Sequence, residues 1–211
     1  MTDPTVRPYL VGLTGSIGMG KTETGRMFAR LGIPVLDADE VVRALYETGG
    51  GAVDPLSQVF PDAVRDGRID RVALAKILAA DPSAFGRLEA IVHPLVREAR
   101  DEFVHTAAKR GAEMILLEIP LLFETGLQQT VDATVVVSAP AEIQEQRALA
   151  RPGMTREKLR MLLARQMPDA EKRAKADFVI ETGNGLAQAF SEVRRVAAEL
   201  LERARNRQAN A

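Results

Sequence analysis

The chain has 211 residues, enough for one α/β domain carrying a lid or subdomain and short for two independent cores. A composition 46% apolar and 27% charged excludes a disordered chain, and a net charge of −1 supplies no global positive field to gather nucleic acid or an anionic membrane surface. The lack of Cys excludes disulfides, thiolate zinc sites and a Cys nucleophile. No apolar run reaches the roughly 18 residues of a membrane-spanning helix. Met1–Arg7, with Asp3 and Pro4, lacks the apolar stretch of a signal peptide, so the expected compartment is the cytoplasm. Aromatics are only 4%, so the core must rest on Leu, Ile, Val, Ala and Met.

In chain order, Tyr9–Thr14 predicts a short buried strand running into a glycine-rich turn. Lys21–Leu31 predicts a helix, with Met27, Phe28 and Leu31 at helical spacing and Gly32 as its stop. Ile33–Leu36 is a second strand, ended by Asp37-Ala-Asp39, and a helix over Glu40–Glu47 closes at Gly49-Gly50-Gly51. Val53–Arg110 shows helical periodicity with no convincing strand, and is broken by Pro55, Pro61, Pro82 and Pro94. Strands follow at Glu113–Glu118, Ala133–Val137 and Phe178–Ile180. Between the last two lies a charged helical stretch, 141–176, interrupted at Pro152-Gly153 and Pro168. Leu186–Arg205 reads as an amphipathic helix, with Asn206–Ala211 frayed beyond it.

Strands separated by helices predict an α/β fold with a parallel sheet covered on both faces. The economical organisation is one domain with two helical insertions: a core built from residues 8–38, 111–140 and 177–206, an insertion at 39–110 that is a candidate ligand-binding subdomain, and an insertion at 141–176 that is a candidate lid.

Gly15-Ser-Ile-Gly-Met-Gly20-Lys21-Thr22 matches G-x-x-x-x-G-K-[ST] at every fixed position. The glycines let successive backbone N–H groups face inward and cradle phosphate oxygens, and the helix starting at Lys21 adds the positive end of its dipole. Lys21 neutralises β/γ oxygens and the Thr22 hydroxyl suits Mg²⁺. The expected nucleotide set is therefore Gly15, Ser16, Ile17, Gly18, Met19, Gly20, Lys21 and Thr22, with Glu23 adjoining. A chance glycine turn is the competing reading, weakened because the motif follows a strand and opens a helix.

A GTPase is excluded, because no Asn precedes a Lys and no Asp begins D-x-x-G. What remains is a small-molecule kinase, which needs a carboxylate near the γ-phosphate. Asp37 and Asp39 stand at the end of the second strand, where one can face the site while the other caps the next helix. Glu118 ends the third strand, as a water-mediated Mg²⁺ acid or as a solvated strand end. Arg147, Arg151, Arg156, Arg160 and Arg165 are candidates for an arginine-bearing lid, Arg147 foremost, against solvated helix faces. His93-Pro94 is a polar turn or a wall of the acceptor pocket. His105 reads as surface.

The series GLTGSIGMGKT, LGIPVLDADEV, DGRIDRVALAKIL, LEAIVHPLV, EIPLLFETGL, IQEQR and RQMPDAEKRAKADFVIETG resembles the dephospho-CoA kinases, in the family's order and over Leu10 to Gly185. The resemblance implies ATP-dependent phosphorylation of the ribose 3′-hydroxyl of dephospho-CoA on a five-stranded P-loop core with a helical CoA-binding domain and a lid. It implies ATP and Mg²⁺ as cofactors, dephospho-CoA as substrate, no nucleic-acid or membrane partner, and a monomer or weak homo-oligomer. By motif, Asp39 is the catalytic base with Lys21 beside it. Gly18, Gly20, Lys21 and Thr22 bind ATP phosphates, and Arg147 approaches the nucleotide from the lid. His93 and Leu121, Leu122, Phe123 and Glu124 border the acceptor, and Thr22 with Glu118 attends the metal. The sequence departs from the family pattern in four places. Met19 replaces a common Ser, Thr22-Glu23 replaces Ser-Thr, and Glu118 stands where many members have Asp. Glu181-Thr182 replaces Asp-Asn, leaving Asn184 as the alternative for an adenine-edge contact. A nucleoside monophosphate kinase and a non-catalytic nucleotide-binding regulator are the alternative functions.

Overall fold

A computed structural model describes residues 7–210, so the reading of Met1–Val6 lies outside the described residues. The described residues up to Leu36, together with those from Thr106 onward, form one compact unit, and Asp37–His105 form a second.

The first unit begins with β1 (Tyr9–Thr14), every residue of which is buried. A glycine loop leads to α1 (Lys21–Arg30), and β2 (Val35–Asp37) follows. The second unit contains α2 (Ala38–Tyr46), α3 (Val53–Val59), a hairpin of β3 (Val64–Arg65) and β4 (Arg68–Ile69), α4 (Arg71–Ala80) and most of α5 (Ala84–Lys109). The chain then returns to the first unit through β5 (Met114–Glu118), β6 (Ala133–Ser138), α6 (Ala141–Leu149), α7 (Arg156–Leu163), α8 (Asp169–Lys175), β7 (Phe178–Glu181) and α9 (Leu186–Ala209).

The main sheet has the order β2-β5-β1-β6-β7, with β1 parallel to β5 and β6, and β6 parallel to β7. β1, β5 and β6 are buried along their whole lengths, as an apolar strand covered on both faces must be. Met27 and Phe28 of α1 and Val193, Val196 and Leu200 of α9 join Val11, Leu13, Val135, Val137 and Ile180 in one core. Each such side chain contributes about 1.5–3 kcal/mol over leaving it in water. The second unit has its own core, including Leu56, Phe60, Ile69, Leu74 and Val92.

Local signals explain where helices begin. Asp37 caps α2 by accepting from the Asp39 N–H at 2.9 Å. Asp70 caps α4 by accepting from Val72 and Ala73. The Thr155 hydroxyl caps α7 by accepting from Lys158 N–H.

Three sequence expectations are corrected. The 53–110 region does contain strands, in the β3–β4 hairpin. Its turn is Asp66-Gly67, both at positive φ, and this pair is a known hairpin signal. Pro94 does not interrupt the helical run but lies inside the 26-residue α5. The chain does not fray at Asn206, since α9 continues to Ala209. Arg207 from this last turn bonds the Arg7 carbonyl and pairs with Asp132 at 2.8 Å, which ties the terminus down.

Candidate active site

The loop between β1 and α1 is shaped by close packing. A Cβ on Gly15 would stand 2.3 Å from the Val137 side chain, and one on Gly18 would stand 2.6 Å from the Gln144 carbonyl. Gly18 and Gly20 both lie in the left-handed region, at φ 81° and 95°, where any other residue is strained. Ser16 is buried, and its carbonyl accepts from Met19 N–H at 3.1 Å. Among the described residues, the Ile17 and Met19 amides are spent inside the protein, while those of Gly18, Gly20, Lys21 and Thr22 donate to no protein acceptor. Unpaired amides at a helix start are a ready anion site.

Met19, the departure from Ser, turns its side chain into the core, where its sulfur accepts from Ala139 N–H at 3.1 Å. Thr22 is exposed. Glu23 pairs with Arg26 one turn on, at 3.3 Å on the outer face of α1.

Lys21 Nζ lies 3.1 Å from Glu118 Oε2, a pair with side-chain exposures of only 12% and 4%. Glu118 is therefore not a solvated strand end. It is a buried carboxylate at the carboxyl end of β5, held beside the phosphate-loop lysine. A threonine hydroxyl and one carboxylate make a donor set that suits Mg²⁺, which takes few protein ligands and draws the rest from phosphates and water.

Two glutamines grip the middle of the loop. The Gln166 side-chain oxygen accepts from Ile17 N–H at 3.2 Å, and the Gln144 side-chain NH₂ donates to the Ile17 carbonyl at 2.9 Å. Arg147 of α6 donates to the Thr182 hydroxyl at 3.0 Å and to its carbonyl at 2.7 Å, while that hydroxyl donates to the Met19 carbonyl at 2.6 Å. Arg147 is thus joined to the phosphate loop through Thr182. Of the other arginines considered for a lid, Arg156 pairs with Glu145, and Arg151, Arg160 and Arg165 are exposed.

After β5, Leu121 is exposed and Phe123 is buried. Leu122 is fully buried and packed so close to Gly12 that a Cβ there would lie 2.9 Å away. Glu124 Oε1 accepts from Met167 N–H at 2.8 Å and lies 2.9 Å from the ammonium of Lys172, which has no exposed surface. That ammonium lies off the line for a hydrogen bond, so the contact is an ion pair. Burial pushes the Glu124 carboxyl up. The Lys172 ammonium and the Met167 N–H outweigh it, and the net shift is downward.

In the second unit, Asp37 is occupied as the cap of α2. Asp39, in that helix's first turn, is exposed and makes no ion pair or side-chain hydrogen bond among the described residues. His93 lies on the exposed side of α5 next to Pro94. The sequence reading missed Gln166 and Lys172 as individual residues, and named Thr182 only as a departure at the adenine edge, not as the link between Arg147 and the loop. They fall within the RQMPDAEKRAKADFVIETG motif, whose pattern gave no partner for any of them.

A glycine loop ending in Lys-Thr, set between the central strand and its helix in a parallel sheet, with a buried acid closing the neighbouring strand, defines a P-loop kinase fold. The sequence profile of the family described as dephospho-CoA kinase matches residues 9–188. The dephospho-CoA kinase of Rhizobium etli is 52% identical over 190 residues, covering 90% of this chain and 93% of its own. A Thermus thermophilus protein, TT1252, superposes with a TM-score of 0.80 at 38% identity, covering 92% of this chain and 99% of its own. The dephospho-CoA kinase of Campylobacter jejuni, 24% identical, shares the fold with a TM-score of 0.63, over 92% and 97% of the two chains. The chain belongs to the dephospho-CoA kinase family, ATP-dependent kinases of coenzyme A biosynthesis.

Gln166→Ala removes the acceptor for the Ile17 amide and leaves the middle of the loop held by Gln144 alone. Losing one such bond is worth about 0.5–1.5 kcal/mol, so KM for ATP should rise roughly 2- to 10-fold with a smaller change in kcat. Steady-state kinetics against ATP check this, and an unchanged KM would remove Gln166 from the loop's support.

Proposed function

We propose that the chain transfers the γ-phosphate of ATP to the ribose 3′-hydroxyl of dephospho-CoA, giving CoA and ADP. The observation that carries this reading is the Lys21–Glu118 pair beside four unspent loop amides, in a chain matched to the family over residues 9–188. Those amides and Lys21 bind the β- and γ-phosphates, and Gly15, Ser16, Ile17 and Met19 hold the loop's shape. Thr22 would ligate Mg²⁺ and Glu118 would orient its water shell. When bound, the metal withdraws charge from the phosphate oxygens.

Asp39 accepts the proton of the acceptor hydroxyl. It suits that role because Asp37 takes the capping duty and leaves the Asp39 carboxylate without a partner among the described residues. Arg147 steadies the nucleotide side through Thr182. Residues 39–110 form the acceptor-binding insertion and 141–176 the lid. His93 and Leu121 are the exposed members of the acceptor set, whereas Leu122 and Glu124 act through packing and pairing. The enzyme works as a monomer or weak homo-oligomer in the cytoplasm, a compartment that suits a chain without Cys.

A substrate panel tests the reading. With ATP and Mg²⁺, dephospho-CoA should be converted to CoA with equimolar ADP, while AMP, UMP and CMP are left untouched. Absence of turnover above the blank overturns it. Transfer to a nucleoside monophosphate instead would reassign the acceptor, and nucleotide binding without transfer to any acceptor would favour a regulator.

A further inference from the structure

Gly25 lies in the second turn of α1, buried and in ordinary helical backbone. Nothing in its conformation calls for glycine, and glycine inside a helix is disfavoured relative to Ala. Its surroundings supply the reason. A Cβ added at Gly25 would stand 1.8 Å from Glu118 Oε1, 2.7 Å from its Cδ and 3.4 Å from its Cγ. The first two are impossible separations, so the carboxylate would have to move. It is not idle surface: its other oxygen lies 3.1 Å from Lys21 Nζ, and the glutamate side chain is 4% exposed. A shift away from Gly25 therefore disturbs the lysine of the phosphate loop.

We propose that Gly25 is a positioning residue for the phosphate-transfer site, forming a size-matched pair with Glu118. The missing Cβ of Gly25 makes the room that the Glu118 carboxylate needs to stand beside Lys21. Shortening residue 118 to Asp draws the carboxylate back by roughly 1.5 Å, the length of one C–C bond, and opens the space for Ala at position 25. The kinetic consequence rests on the reading of Lys21 as the ATP-phosphate ligand; the steric coupling does not.

The test is a full cycle of wild type, Gly25→Ala, Glu118→Asp and the double variant, read in two ways. Without ligand, Gly25→Ala should lower Tm when Glu118 is present. When the chain already carries Glu118→Asp, the same change should raise Tm by about 2–4 °C, since Ala is then simply the better helix former. With ATP, Mg²⁺ and dephospho-CoA, Gly25→Ala alone should lower kcat/KM for ATP at least tenfold, and the double variant should stay within about threefold of Glu118→Asp. A glycine unrelated to Glu118 would shift Tm equally in both backgrounds, and one that only makes room for Glu118 would leave kcat/KM for ATP unchanged. Either result overturns the proposal. If the kinase reading itself fails, the ligand-free melting cycle still decides the coupling.

Discussion

Asp39→Asn is expected to cut kcat with dephospho-CoA by roughly 10²–10⁴-fold while leaving ATP affinity nearly intact. Asn keeps the shape of the side chain and loses the ability to take a proton. The two aspartates of the DAD stretch divide their tasks in a way that supplies an internal control. Asp37 is engaged by the Asp39 N–H as the cap of α2, and Asn caps a helix about as well as Asp. Asp37→Asn should therefore remain near wild type in both Tm and kcat. Initial-rate assays on the two variants, alongside ATP titration, separate the roles. An unchanged rate in Asp39→Asn would reassign the base, and a large loss in Asp37→Asn would undo the division of tasks.

Lys172→Ala is expected to cost about 3–5 kcal/mol of stability, because it leaves the Glu124 carboxylate without its cation in an enclosed place. Replacing both members, as Lys172→Met with Glu124→Leu, should cost much less, since no charge is then left behind. Chemical denaturation of wild type and the two variants measures the difference, and a single variant no worse than the double would contradict it.

The same pair fixes the direction of a pH effect. The folded-state pKa of Glu124 lies below its ordinary value: burial opposes the shift, and Lys172 and the Met167 N–H overcome it. Its contribution is therefore complete above the ordinary glutamate range and is lost as pH falls through the depressed folded value. Glu124→Gln should flatten that part of the acid limb. An acid limb superposable on wild type would show that the pair carries no linkage.

The parts of the site that could be read in the sequence are those made by neighbours in the chain. The phosphate loop is local, and its glycines, Lys21 and Thr22 stand where the motif puts them because each is set by backbone bends a few residues long. The cap at Asp37 is equally local. The Asp66-Gly67 turn was legible too, but its two-residue strands are too short to show an alternating pattern. Pro94 misled for the opposite reason: a helix of 26 residues tolerates one missing N–H where a short one would not.

What stayed hidden depends on residues far apart in sequence. Gln166 meets Ile17 across 149 positions, and Thr182 meets Met19 across 163. No periodicity encodes such a meeting. Glu124 was assigned to the acceptor border by motif, and the sequence offered no hint that a fully buried lysine 48 positions later (172 − 124) would claim its carboxylate.

The most direct test is a crystal structure of the full chain with a non-hydrolysable ATP analogue, Mg²⁺ and dephospho-CoA. The Asp39 carboxylate should lie about 2.6–3.2 Å from the ribose 3′-oxygen, with the analogue's terminal phosphates on the Gly18, Gly20, Lys21 and Thr22 amides. An Asp39 pointing to solvent with both ligands in place, or phosphates seated away from those amides, would contradict the account.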